Sequence, residues 1–393
     1  MSKQEDVTIP VVPRYWSGIA GRPALHQLIL QCRRIVLLTM PSAVAIALYS
    51  GVLGIAYIYR YTFVLTPLFY NEAHTVLSFP LPEFTGLKYW TLYIYLITRS
   101  LLRRLPFLAQ KKLSPTQKDG DNYTIPGDPI SLEIPFRTSP SDLIRYNRAA
   151  KTSGIDTISH SLHLMLFLSA VTEPAMLLLL TKINCPMDPV GGVNVRNRFE
   201  IVDPQLLDSK LKEVMASQEE MVQEQGWKVK TRLDPNLRKV KRGWEVTIAV
   251  ELVLGNDILY RQFFTFLQFA KHSIPASSEI NHTDPEITPS TSVSLISNDP
   301  YLWATLSKDY NPIHFSSTLA RLFGFKSMIA HGNHVLAKGL AKLDVDGEGM
   351  RFMEVEFRRP AFIPSELDVS VDKGGRCVVL GIKGKASVIA RYG

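Results

Sequence analysis

The chain has 393 residues, 46% of them hydrophobic and 20% charged, with a formal net charge of +8. That length holds two or three domains with ample core, and the composition is ordinary for a globular protein. Before residue 131 there are 13 Lys/Arg against 7 Asp/Glu, so most of the excess charge lies in the first third; this is a membrane-surface bias, and it lacks the basic and aromatic stripe of a nucleic-acid binder. The three cysteines, Cys32, Cys185 and Cys377, are far apart, odd in number and in no metal spacing. They argue against a disulfide framework and for small buried residues in a reducing compartment.

In chain order, residues 1–112 form an N-terminal region. Ile35 to Tyr59 is a run of 25 residues without a charge. A helix crosses a bilayer core with about 20 apolar residues, so a membrane-anchoring helix is expected at about 35–59, with a buried core helix as the alternative. The aromatic and basic stretch at about 89–104 reads as an interfacial helix. Residues 113–128 are a linker. From 129 the pattern is that of an α+β domain: a strand over Ile130–Arg137, a helix starting at Ser139-Pro140, and a strongly apolar helix from Ser161 to Leu180 broken at Glu173-Pro174. A strand follows over Val193–Ile201. Residues 203–243, with 9 Lys/Arg and 7 Asp/Glu, read as a solvated polar insertion. Trp244 to Phe269 reads as two strands turning at Gly255-Asn256-Asp257. A second linker, 273–284, leads into a repeat of the same order of elements: strand near Ser292–Ile296, helix Tyr301–Leu306, core helix from about Asn333 to Leu343, and strand-like runs Phe352–Arg358, Glu366–Val371 and Cys377–Ala390.

Within this second half lies the segment richest in chemistry. Asp309-Tyr310-Asn311-Pro312-Ile313-His314 puts a carboxylate and an imidazole five positions apart on a turn stiffened by proline, which pushes Asn311 out of the helical region. Beyond it, His331-Gly332-Asn333 opens the core helix. Singly, Asp309 reads as a turn residue and His314 as a satisfied buried imidazole. His331 and His334, three apart, raise the thought of a metal, but no carboxylate or cysteine joins them at ligand spacing.

Together these residues match D-x-N-P-[IVL]-H followed by His-Gly, and in this the chain resembles the MaoC-like, or hydratase-2, family of (R)-specific enoyl-thioester hydratases and 3-hydroxyacyl-thioester dehydratases. Phe357-Arg358-Arg359-Pro360 is similar to the family's following strand. The resemblance implies a double hot-dog, two antiparallel sheets each wrapped on a long helix, with halves at about 129–272 and 285–393. It implies that Asp309 and His314 are the acid/base pair, that Asn311 supports the water, and that the backbone N–H of Gly332 forms part of an oxyanion hole. In the substrate-binding set, His331 is a hydrogen-bonder beside that donor, and Arg358 and Arg359 reach phosphates of coenzyme A or a carrier pantetheine, ordinary exposed arginines being the plainer alternative. No metal and no redox cofactor is implied. The chain departs from the pattern at Lys308, where the family often has glycine, and at Asn333, where it commonly has an apolar residue. The first half carries Ser153-Gly154-Ile155-Asp156-Thr157-Ile158-Ser159-His160 where the motif would stand, so one site per chain is expected. That half would shape an acyl pocket, the break at Pro174 leaving room for a long chain.

The expectation is therefore a membrane-anchored hydro-lyase of fatty-acid metabolism, in the endoplasmic reticulum or mitochondrion. Its partners would be an acyl-CoA or acyl carrier protein thioester, a membrane through the N-terminal helix, a second copy in a homodimer, and no nucleic acid. A non-catalytic acyl-thioester-binding or scaffold subunit and a hot-dog acyl thioesterase are the rival readings.

Overall fold

The computed structural model describes residues 50–54, 63–81, 84, 86–102, 113–120, 122–152, 156–188, 192–216, 226–270, 290–343, 345 and 347–393. The chain divides into two units, Met1–Phe63 and Val64–Gly393. Of the first, residues 50–54 are helical, and the rest of the expected membrane helix at 35–59 lies outside the described residues, as does the linker 273–284.

The second unit takes in more of the chain than the sequence implied. Leu65 and Leu68 are fully buried in its core. Strand β1 (His74–Val76) pairs in parallel with a strand of the main sheet. Helix α1 (Leu87–Leu102) covers most of the expected interfacial stretch, yet it has two faces. Tyr89, Leu92, Tyr93 and Leu96 are buried in the body, while Trp90 and Ile94 are 62% and 63% exposed. Apolar residues recur on both sides of the 3.6-residue period, so composition alone could not show that one side is packed against protein.

A small hairpin, β2 (Thr116–Asp119) and β3 (Asn122–Thr124), leads to β4 (Ser131–Pro135). Helix α2 (Pro140–Ala150) starts as its sequence indicates, with Pro140 at its first position and the Asp142 carboxylate accepting the Ser139 N–H at 3.1 Å. Helix α3 (Ser161–Thr181) runs unbroken through Pro174. This corrects the expected break at Pro174. An interior proline costs about 3 kcal/mol, but nearly every side chain of α3 is buried, and each large apolar one contributes roughly 1.5–3 kcal/mol. Packing outweighs the proline. Among the described residues α3 alone is long and apolar enough to cross a membrane, and it lies enclosed in the fold. Its C-terminal carbonyls are held by the Arg99 guanidinium of α1, which donates to Leu180, Lys182, Ile183 and Cys185 oxygens, as a cation at the negative end of a helix should.

After β5 (Gly192–Ile201) comes the segment taken for a polar insertion, and it is the second correction. Helix α4 (Pro204–Ala216) buries Leu207, Leu211 and Val214. Strand β6 (Trp227–Val240) is 14 residues long and sits inside the sheet. Trp227, Val229, Thr231 and Leu233 point inward while Lys228, Lys230 and Arg232 point outward. The charges counted as evidence of a solvated loop are the outer face of a period-two strand. Strands β7 (Gly243–Leu254) and β8 (Asp257–Phe269) follow and pair as expected.

The second half contributes β9 (Thr291–Leu295), α5 (Asp299–Ser307), α6 (Ser317–Leu322), α7 (Gly332–Leu340), β10 (Phe352–Phe357), β11 (Ser365–Val371), β12 (Cys377–Ile382) and β13 (Lys385–Tyr392). The expected last strand is a hairpin, turned at Lys383 and Gly384, whose φ values are +51° and +74°. Two further corrections concern architecture. The halves share one continuous sheet, ordered β1-β4-β6-β7-β8-β5-β10-β13-β12-β11-β9, joined antiparallel at β5 and β10. The inner helices are unequal: α3 is 21 residues and α7 only 9. The result is a hot-dog arrangement of helices cradled by sheet, with α3 and α7 packed together inside.

Candidate active site

The site is built by a succession of local stops. Helix α5 ends at Lys308, which takes φ +55°, a left-handed conformation usually left to glycine. Lysine is strained there by about 1 kcal/mol relative to glycine. Its ammonium turns back to the Thr305 carbonyl at 2.5 Å. Asp309 then leaves the helix. Asn311, at φ −55° and ψ 125°, is extended as the following proline requires, and its side-chain oxygen accepts the Ile313 N–H. A 3₁₀ turn, Pro312–His314, delivers the imidazole.

Two buried histidines and one carboxylate converge here. His314 Nδ1 meets the Ile329 carbonyl at 2.7 Å, and His331 Nε2 meets the Asp309 carbonyl at 3.0 Å. Carbonyl oxygens only accept, so both nitrogens carry hydrogen and the tautomers follow. Neutral His314 therefore presents a bare Nε2, 3.7 Å from Asp309 Oδ2. His331 Nε2 lies 3.6 Å from the same oxygen, and the two rings stack with centroids 3.7 Å apart. Burial pushes the pKa of His314 down against the opposing pull of Asp309, and that of His331 well down, with its neighbour His314 adding to the effect. Both rings stay neutral and able to exchange a proton.

The Asp309 carboxylate is held on its other oxygen. Oδ1 accepts the Tyr93 hydroxyl at 2.9 Å and the Asn311 N–H at 3.1 Å. Close by, α7 begins at Gly332 with His331 as its N-terminal cap residue, and a helix start carries free backbone N–H groups and the positive end of the helix dipole. A Cβ at Gly332 would fall 2.2 Å from the Phe357 ring, which is why glycine stands there. Asn333, the departure from the family pattern, bridges the halves: its Oδ1 accepts from Asn197 Nδ2 at 2.9 Å and its Nδ2 donates to Ser169 Oγ at 3.0 Å.

Not every expected residue joins the site. Arg358 Nε binds Glu356 at 2.9 Å and Arg359 Nη1 binds the Ala386 carbonyl at 2.6 Å, so both guanidiniums have partners on the sheet. His334 turns away, donating to the Ala149 carbonyl and stacking on Trp303. The metal-like grouping is a different one: donor atoms of Asp309, His314 and His331 all lie within 4.8 Å of one another. By spacing these three could hold an ion, but His331 Nε2 would have to give up its hydrogen bond to the Asp309 carbonyl to offer a lone pair. In the first half, Asp156 accepts from the Ile158 and Ser159 N–H groups in an Asx turn ahead of α3, and His160 is the residue that caps that helix.

Three residues that sequence reasoning passed over belong here. Tyr93 reaches Asp309, and Tyr89 accepts the Tyr310 N–H at 3.2 Å, both from α1. Glu173 is 8% exposed in α3, and burial together with the Asp309 charge raises its pKa well above the carboxylate range. A carboxyl inside an otherwise apolar helix was the available signal for Glu173. For Tyr93, 216 residues from Asp309, and Tyr89, 221 residues from Tyr310, sequence held none.

Fold and site define a hot-dog protein whose aspartate–histidine pair stands at the start of the inner helix. Residues 279–391 match the MaoC like domain. It is similar to 3-hydroxyacyl-thioester dehydratase X of Mycobacterium tuberculosis, 26% identical over 207 residues, which are 52% of this chain and 68% of that protein. The crystal structure of HtdX from the same organism matches 67% of this chain and 98% of its own, at 21% identity and a TM-score of 0.49. A MaoC-like dehydratase from Phytophthora capsici matches 67% of this chain and 93% of its own, at 14% identity and a TM-score of 0.43.

Proposed function

We propose that the chain is a hydro-lyase interconverting (R)-3-hydroxyacyl and trans-2-enoyl thioesters by addition and removal of water. The observation that carries this is the bare His314 Nε2 standing 3.7 Å from Asp309 Oδ2 beside the start of α7. A water held between those two atoms is placed to attack C3. The pair takes up one proton from that water and returns one to C2, so it ends each turnover as it began. As the water oxygen bonds to C3, the charge that develops on the thioester oxygen is met by the Gly332 N–H and the helix dipole, and it is discharged when C2 gains its proton. Asn311 keeps the turn and hence the water's position. His331 buttresses Asp309 through its carbonyl.

The thioester carrier is coenzyme A or an acyl carrier protein, and the setting we propose is a membrane surface in a reducing compartment. The uncharged run Ile35–Tyr59 and the exposed stripe of Trp90, Ile94 and Ile97 on α1 support the membrane surface, and Cys185 and Cys377, which form no disulfide among the described residues, fit the reducing compartment. The test follows enoyl-thioester absorbance with crotonyl-CoA and longer substrates, comparing wild type with Asp309→Asn and His314→Ala. Loss of an acid/base group lowers turnover by about 10²–10⁴-fold. Activity that survives both substitutions sinks the assignment, and CoA release without hydroxyacyl product would make the protein a thioesterase.

A further inference from the structure

The two oxygens of the Asp309 carboxylate are not equivalent. Oδ2 faces the imidazoles at 3.6 and 3.7 Å, whereas Oδ1 takes two donors, the Asn311 N–H and the Tyr93 hydroxyl. The first donor is local to the turn. The second comes from α1, which lies outside the matched domain of residues 279–391.

Tyr93 is built into place. It is 9% exposed, and its ring lies against that of Tyr89, with centroids 4.5 Å apart. Tyr89 in turn accepts the Tyr310 N–H and meets the Tyr310 ring edge-on at 5.0 Å. Helix α1 thus grips two consecutive residues of the motif, 309 through its side chain and 310 through its backbone. Arg99, further along the same helix, ties it to the end of α3, so the phenol is delivered from a rigid element.

We propose that Tyr93 is a positioning residue of the active site: by pinning Oδ1 of Asp309 it presents Oδ2, and only Oδ2, to the reacting water and to His314. A carboxylate torsion is broad and roughly two-fold, so a single backbone donor leaves the oxygens free to exchange. Two donors on one oxygen, one of them from a separate helix, remove that freedom. Burial, then the Asp309 charge, keep the Tyr93 phenol protonated and therefore a donor. This inference rests on the hydro-lyase reading of the pair.

The test uses the full chain. Tyr93→Phe deletes the hydroxyl and keeps the ring. The expected result is a kcat lowered by about 10- to 100-fold, the scale of a catalytic group displaced by an ångström, with KM within twofold of wild type. A structural role would not produce that split. The second measurement is the cycle with Asp309→Asn, every variant assayed well below its own Tm: if Tyr93 acts through Asp309, adding Tyr93→Phe to Asp309→Asn lowers kcat no further. Unchanged kcat in Tyr93→Phe, or additive losses in the double variant, overturns the proposal. Asp309→Asn retaining full activity would instead overturn the assignment of the pair itself, so the two failures are told apart.

Discussion

Gly332→Ala tests the oxyanion donor through a steric demand that can be worked out in advance. The new Cβ would lie 2.2 Å from Cε1, 2.5 Å from Cδ1 and 2.8 Å from Cζ of Phe357. Carbon atoms rest at about 3.5–4.0 Å, so something must move by more than an ångström. The start of α7 is pinned by Asn333 to Asn197 and Ser169, and by His331 to the Asp309 carbonyl. Phe357 is half-buried at the end of β10, with its backbone paired to Val388. Overpacking of this kind costs about 1–3 kcal/mol, a fall in Tm of roughly 2–4 °C per kcal/mol for a domain near this size. Because β10 holds Phe357, the start of α7 gives way, and the Gly332 N–H no longer meets the thioester oxygen in the proposed geometry. Loss of one such donor lowers kcat by about 10²–10³. The decisive control is Gly332→Ala/Phe357→Ala, which removes the ring the methyl collides with. It should recover most of the lost kcat at its own cost in stability. A Gly332→Ala enzyme with wild-type kcat, or a double variant with no recovery, would refute the reasoning.

Three further outcomes follow from buried charge. Lys338 and Asp299 form an ion pair at 2.5 Å with 1% and 0% of their side chains exposed, so Lys338→Met strands a buried carboxylate. It should cost about 3–5 kcal/mol in urea unfolding, most of which Lys338→Met/Asp299→Leu should restore. His163, His314, His331 and His334 all have pKa values lowered chiefly by burial, His163 to about 3 and His334 to about 4. Neutral in the fold, they take up protons once unfolded, so stability should fall as pH drops below 6.5, by about 1.4 kcal/mol per pH unit for each group still neutral in the fold. A Tm that is flat from pH 7 to 5 would contradict this. Glu173 works the opposite way: its raised pKa gives a contribution present below 4.5 and lost as pH rises through the folded value. Glu173→Gln should therefore raise Tm at pH 8 and leave it unchanged at pH 4.

What the sequence disclosed and what it hid divide along one physical line. Asp309, Asn311 and His314 were legible because their geometry is set within six residues by a helix stop, an Asx turn and a proline. His331-Gly332 was legible because a helix start is a local event. Features that depend on what lies opposite were not. Strand β6 alternates correctly, yet its charges outweighed its period, because a count of Lys and Glu ignores which face they occupy. Pro174 read as a break because the burial that overrides it is supplied by strands far along the chain. Tyr93 and Tyr89 read as part of an interfacial helix, since nothing within α1 signals that its inner face meets residue 309.

Asn333 shows what the first half supplies although it lacks the motif itself. An apolar residue at that position would remove two of the hydrogen bonds between the start of α7 and the first half, His334 to the Ala149 carbonyl being another. The asparagine instead hydrogen-bonds Asn197 on β5 and Ser169 on α3, both fully buried. Net contributions of such bonds are modest, about 0.5–1.5 kcal/mol each, but leaving one partner unsatisfied costs about 1–3 kcal/mol, so the register between α7 and the first half is strongly selected. Ser169 stands one helical turn before Glu173, on the same face of α3, the face that senses the Asp309 charge. The first half thus acts on the site through Asn333, which holds the start of α7, and helix α1 acts through Tyr93 on the carboxylate. The catalytic turn is local in sequence, and its rigidity is assembled from everything around it.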